Sequence, residues 1–246
     1  MITNKLIAEK TVPITYADIN YNLVLKPSAL FNYLQDLASE NAEELGFGYS
    51  ATYHRNIGWF LLKYRMEFVD YPHNINKIKI LTEARGCHRL FAYRNFKLYN
   101  DNEFLGQISS TWSLVDLSNK KLMTIDSTID CENLVKFEKC EDDLSYDKIP
   151  ELSTITCEKE FEIRYDDVDV NGHANNANYI IWAFETLDFN FRSNKKLKTL
   201  DVVFKKEVKY GSKVKSLVQI VGNTTIHLLK NSNTNEDLCA IKAEWI

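Results

Sequence analysis

Within DVDVNGHANNANY (residues 167–179) an acid, a carboxamide and an imidazole fall on alternate positions: Asp169, Asn171 and His173. Histidine exchanges protons near neutral pH. A carboxylate beside it can orient the ring or accept a hydrogen bond, and a carboxamide can hold a water or a carbonyl. Asn175 or Asn176 is a good N-cap for a helix beginning there. The first amides of such a helix carry the positive end of its dipole, which suits them to polarising a carbonyl and holding an oxyanion. This set fits acyl transfer to water. The stretch contains no Ser or Cys, so water is the expected nucleophile rather than a serine or cysteine paired with the histidine. A second reading uses the same residues structurally: Asn171-Gly172 makes a turn, Asp169 caps it, and His173 is a partly buried side chain.

The elements that must hold these residues are written twice. At a constant offset of 149 positions, VPITYADINYNLVLKPSALFNYLQDL (12–37) lies without a gap over the first 26 residues of FEIRYDDVDVNGHANNANYIIWAFETL (161–187). Ile14 falls on Ile163, Tyr16 on Tyr165, Asp18 on Asp167, Asn22 on Asn171, Leu30 on Tyr179 and Tyr33 on Trp182. At the turn, Asp169 faces Asn20 and His173 faces Val24. The shared architecture therefore does not require an acid and an imidazole there.

In each half a short strand leads through a polar turn into an apolar helix, and about four strand-like runs follow. Pro27 suits the first turn of the first helix, which is expected to run to about Leu45 with Gly46 as its C-cap. The second helix is expected from Tyr179 to about Phe191, apolar almost all round and hence buried. The runs GWFLLKYRMEFV, KIKILTEAR, FAYRNFKLY and EFLGQISSTWSLVDL, and later TLDVVFKKEVKY, SKVKSLVQIVG, TTIHLLK and DLCAIKAEWI, are rich in β-branched and aromatic residues. The implied class is α+β: a double (tandem) hotdog in which two antiparallel sheets each wrap a central helix. The two halves are expected to pair as an isologous dimer would. Residues 1–130 form the first hotdog, 131–157 a linker within an acidic stretch, and 158–246 the second hotdog, which carries the candidate chemistry.

Composition narrows the function. A chain of 246 residues with 45% hydrophobic and 12% aromatic residues is long enough to bury a core. A net charge of −4 argues against a nucleic-acid footprint. The five cysteines are scattered without CxxC spacing, so a reducing cytoplasm is expected. No apolar run is long enough to span a bilayer, and the N-terminus lacks signal and transit-peptide features. His54, His73, His88 and His227 form no ligand-spaced set, and neither a metal nor a redox cofactor is expected.

DVNGHANNANYIIWAFE resembles the D-x-N-x-H-V-N-N-x-x-Y-x-x-W segment of the acyl-acyl carrier protein (acyl-ACP) thioesterases of plant plastids and bacteria. The resemblance extends over nearly the whole chain. GWFLLKYRMEFVDYP is similar to that family's first-half strand, and VVFKKEVKYGSKV to the second-half strand that bears an acidic catalytic residue. It implies a catalytic network of Asp169, Asn171, His173 and Glu207. Glu207 and His173 would activate water for attack on a thioester carbonyl, either serving as general base, while Asp169 and Asn171 orient the groups. It also implies an acyl carrier protein as partner, an acyl-chain pocket in the first half, and a monomeric pseudo-dimer or a homodimer. Two features depart from the family: Ala174 stands where the motif has Val, and the plant transit peptide is absent, as in a bacterial cytoplasmic enzyme.

Rival readings follow from the same residues. Glu207, among Lys205, Lys206 and Lys209, could be one charge on an exposed strand; matching Tyr210-Gly211 to Tyr71-Pro72 sets it opposite Phe68. Glu185 is another acidic candidate, but its repeat partner Asp36 is acidic too, which points to a shared structural role. The lysines at 195, 196, 198, 205, 206, 209, 213 and 215 could meet an acidic carrier or form a solvated face. Trp59, Phe60, Phe91, Tyr93, Phe96 and Trp112 could line an acyl tunnel or be ordinary core. The alternatives to an acyl-ACP hydrolase are an acyl-CoA thioesterase on the same scaffold and a non-catalytic acyl- or carrier-binding protein. Mere binding does not need an imidazole.

Overall fold

The structure is a computed structural model describing residues 6–246. Its elements repeat as the sequence does. The first run comprises β1 (Ile7–Pro13), α1 (Pro27–Glu44), the short α2 (Tyr49–Thr52), β2 (Ile57–Phe68), β3 (Lys77–His88), β4 (Phe91–Asn100), β5 (Glu103–Asp116), β6 (Lys121–Met123) and α3 (Ile125–Thr128). The second comprises β7 (Cys157–Glu162), α4 (Asn176–Phe184), α5 (Phe189–Ser193), β8 (Leu197–Phe204), β9 (Lys213–Val221), β10 (Thr224–Asn231) and β11 (Asp237–Trp245). Strand order is β1-β3-β4-β5-β2 in the first run, with β6 beside β5, and β8-β11-β10-β9-β7 in the second. This is the α+β double hotdog expected.

The chain divides into two compact units that interleave in sequence. One collects residues up to Ile14 with 33–66 and 75–145; the other collects 15–32, 67–74 and 146–246. Both copies of the polar turn therefore belong to the second unit.

In the first unit, α1 buries Leu34, Leu37, Ala38 and Asn41, spaced as one helical face requires. It ends as expected: Gly46, at φ +87°, donates to the Glu43 carbonyl at 3.1 Å, and Phe47 donates to the Ala42 carbonyl at 3.0 Å. That pair of bonds closes a Schellman end, where only glycine adopts a positive φ without strain. On the sheet, Ile78, Ile80, Thr82 and Ala84 of β3 alternate inward. The acidic stretch is pinned to this sheet. The Asp143 carboxylate, which is 8% exposed, accepts hydrogen bonds from Asn95 at 2.6 Å, the Cys140 N–H at 2.8 Å and Arg85 at 3.1 Å. Burial pushes its pKa up, but these donors outweigh burial and hold it low.

In the second unit, Ala177, Tyr179, Ile180, Trp182, Ala183 and Phe184 of α4 are all buried, the all-round apolar helix expected. Phe184 packs its ring against Trp245 (centroids 5.0 Å apart) and His227 (5.7 Å). The helix is shorter than expected. It stops at Phe184 because Thr186 and Leu187 donate to carbonyls three residues back (Ala183 at 3.3 Å, Phe184 at 3.2 Å), a tightening typical of a helix end. The Thr186 hydroxyl also donates to the Trp182 carbonyl at 2.9 Å. Asp188 then caps α5 by accepting from the Phe191 N–H at 2.9 Å.

Candidate active site

The turn at 169–173 is held by five hydrogen bonds made by Asp169. Its N–H donates to the His173 carbonyl (2.8 Å), and its carbonyl accepts from the Gly172 N–H (3.0 Å). Its carboxylate accepts from the backbone N–H of Asn171 (2.8 Å) and of His173 (3.4 Å), and from the Asn171 side chain (3.5 Å). Gly172 takes the positive φ, +77°. The other copy forms the same turn. Asn20 donates from its N–H to Val24 (2.8 Å) and accepts from Leu23 (3.0 Å), and its side-chain oxygen accepts from the N–H of Asn22 (2.9 Å) and Val24 (3.1 Å). Leu23, at φ +58°, occupies the place of Gly172. The turn needs a short side chain with an oxygen, and either Asn or Asp supplies it. Turn-making thus accounts for the hydrogen bonds of Asp169, and the imidazole is the part the turn does not use.

The expected partners come together in pairs. His173 Nε2 lies 3.3 Å from a carboxylate oxygen of Glu207, with 12% and 33% of the two side chains exposed. Asp169 and Asn171 meet in the turn, and Asn171 is exposed. The two segments are tied by the Ala174 N–H, which donates to the Val208 carbonyl at 2.9 Å.

Glu207 is not on a strand, contrary to the expectation. Strand β8 ends at Phe204, because the N–H groups of Lys205 and Lys206 both turn to the Leu238 carbonyl (2.8 and 3.1 Å) and the ladder stops. Residues 205–209 run on without regular pairing, so Glu207 is free of strand alternation and can face His173. The register set from Tyr71-Pro72 also shifts. Leu25 donates to the Pro72 carbonyl (2.9 Å) as Ala174 donates to Val208, which makes Tyr71, not Phe68, the counterpart of Glu207.

Tyr179 is not among the residues that the sequence singles out for chemistry, although its repeat partner Leu30 marks a polar replacement in a buried row. Its phenol donates to the Lys206 carbonyl at 3.4 Å. Burial first, and then the fields of Cys239, Glu207 and Asp169, push its ionisation far above the usual phenol range. The start of α4 supplies fewer amides than expected. Asn175, the N-cap, accepts from the Ala177 N–H on its side chain and from the Asn178 N–H on its carbonyl, both at 2.9 Å. Those two groups are therefore already engaged.

Five of the eight lysines between 195 and 215 have acidic partners: Lys196 with Asp70, Lys205 with Asp237, Lys206 with Glu236, Lys213 with Glu160 and Lys215 with Glu158. Their positive field is correspondingly reduced. Glu185 is paired with Arg192. Among the described residues, no group of three or more His, Cys, Asp or Glu side chains is arranged to hold a metal ion, and no helix is long and apolar enough to cross a membrane.

Two family descriptions match the chain: acyl-ACP thioesterase, N-terminal domain, over residues 5–131, and acyl-ACP thioesterase, C-terminal domain, over 151–246. The chloroplastic acyl-[acyl-carrier-protein] hydrolase FATB2 of Cuphea viscosissima is 23% identical, over 100% of this chain and 64% of its own length. The chloroplastic oleoyl-acyl carrier protein thioesterase of Coriandrum sativum is 23% identical, over 81% and 59%. The chain thus spans about three fifths of the length of these relatives. Among solved structures, an acyl-ACP thioesterase from Bacteroides thetaiotaomicron superposes with a TM-score of 0.87 at 22% identity, over 99% of this chain and 98% of that one. The 12:0-ACP thioesterase from Umbellularia californica superposes with a TM-score of 0.82 at 19% identity, over 98% and 97%.

Proposed function

As a member of the acyl-ACP thioesterase family, matched along both of its domains, this chain, we propose, hydrolyses fatty acyl-ACP to free fatty acid and carrier thiol and so ends acyl elongation. The observation that carries the reading is the contact between His173 Nε2 and Glu207 at 3.3 Å, made by the two residues that the family motif and the VVFKKEVKYGSKV segment mark. In this mechanism a water molecule attacks the thioester carbonyl carbon while either Glu207 or His173 takes its proton. The C–S bond then breaks, and the thiolate leaves as thiol after receiving a proton from the site. Asp169 acts through the backbone, fixing the turn that presents His173. Asn171, exposed at the same turn, is suited to donate its amide N–H to the carbonyl oxygen as charge develops there.

In the same reading the acyl chain occupies the first hotdog, residues 1–130, while 158–246 carry the chemistry and 131–157 join them. A cytoplasmic location accords with five cysteines that form no disulfide. The test is hydrolysis of a chain-length panel of acyl-ACPs beside the matching acyl-CoAs. Turnover of acyl-ACP is expected. A strong preference for CoA would overturn the carrier assignment, and turnover of neither would overturn the enzyme reading in favour of an acyl- or carrier-binding protein.

A further inference from the structure

Tyr179 holds the main chain beside Glu207. Its hydroxyl donates at 3.4 Å to the carbonyl of Lys206, the residue that precedes Glu207. The ring is fixed in turn. It is 2% exposed and meets Phe204 edge-on at 5.7 Å and 87°, and Trp182 at 5.4 Å and 60°. The segment it holds has left the strand ladder, so this bond, with the one from Ala174 to Val208, takes over the task of fixing the backbone there.

The other copy serves as an internal control, since it builds the same turn without the His–Glu pair. Val24 replaces His173 and Tyr71 replaces Glu207. The grip is absent too, since Leu30, in the place of Tyr179, has no hydroxyl. The imidazole, the carboxylate and the phenol differ together between two otherwise matching turns. A phenol needed only to fill the core would have no reason to vary with the carboxylate.

We propose that Tyr179 is a positioning residue for Glu207: it holds the peptide that leads into that residue so that the carboxylate stays in register with His173. This rests on the reading of His173 and Glu207 as the water-activating pair. Tyr179→Phe keeps the ring and deletes the hydrogen bond to the Lys206 carbonyl. Misplacing a catalytic group by about 1 Å costs about 100-fold in rate, so Tyr179→Phe is expected to lower kcat by roughly 10- to 100-fold with KM little changed. In a Glu207→Ala background the same substitution is expected to add nothing. An equal loss in both backgrounds, or no loss in the wild type, would overturn the proposal.

Tyr179→Leu installs the side chain that the other copy carries at Leu30 and likewise deletes the hydroxyl. It is expected to reproduce the loss, and it carries the test if Tyr179→Phe folds poorly. A readout independent of turnover separates this proposal from the functional reading: the ring resonances of His173 by NMR. Glu207→Ala is expected to move them, and Tyr179→Phe to move them the same way by part of that amount. Unmoved resonances would refute the positioning role even in an active enzyme; displaced resonances would uphold it even if acyl-ACP proved not to be the substrate.

Discussion

The contact between His173 and Glu207 predicts a specific pattern of non-additivity. Once His173 holds the proton taken from water, two unit charges at the observed 3.3 Å would interact by about 1 kcal/mol if water screened them fully, and by about 5 kcal/mol at the effective dielectric of 20 that suits sites near a protein surface. A third of the Glu207 side chain is exposed, so the upper figure is not reached; about 2–4 kcal/mol remains, equivalent to roughly 30- to 1000-fold in rate. Glu207→Gln, which keeps the shape and removes the charge, is expected to lower kcat/KM within that range, and His173→Ala by at least as much. If the two act as one unit, the double variant loses little more than the worse single one. The assay is steady-state hydrolysis of one acyl-ACP by the four proteins, with far-UV circular dichroism to establish that each is folded. A double variant whose loss equals the product of the single losses would refute the reasoning, because residues that act through a shared contact cannot contribute independently.

Asp169→Asn is expected to retain the turn and to keep activity within about tenfold, because Asn20 makes the corresponding bonds in the other copy, whereas Asp169→Ala is expected to lose about 1 kcal/mol of stability, as a lost cap does. If Asp169→Asn were as inactive as His173→Ala, the charge of Asp169 would belong to the chemistry and not only to the turn. His227 is fully buried between α4 and the sheet, and burial holds its pKa down at about 3 against an ordinary 6.5. The unfolded chain therefore takes up a proton below about pH 6.5 that the folded chain refuses, so this contribution to stability is intact above that pH. It falls on acidification towards pH 3, by up to about 1.4 kcal/mol per pH unit. Urea unfolding at pH 7 and pH 5 is expected to show the fall, and His227→Gln to reduce it; an unchanged pH dependence in that variant would refute the assignment.

Much of this site is local and therefore legible in the amino-acid sequence. The turn at 169–173 depends on bonds spanning two to four positions, and the 149-residue repeat exposes it twice. Alternation along β3, the buried row of α1, Pro27 and Gly46 are likewise signals contained within one element. The position of Glu207 is not of that kind. Its distance from His173 depends on where β8 leaves the sheet, and that point is decided by the Leu238 carbonyl, 31 positions from Glu207 along the chain. The alternating pattern of KKEVKY continues past the end of the ladder because lysines are compatible with both a strand and an open segment. Similarly, composition revealed a run of lysines, but only the tertiary structure brought Asp70, Glu158, Glu160, Glu236 and Asp237 against them. What the sequence by itself determined was the repeated fold, the turn and the lone imidazole upon it. What only the tertiary structure decided was that a carboxylate stands opposite that imidazole, beside a phenol bound to the Lys206 carbonyl, because those contacts join segments distant along the chain.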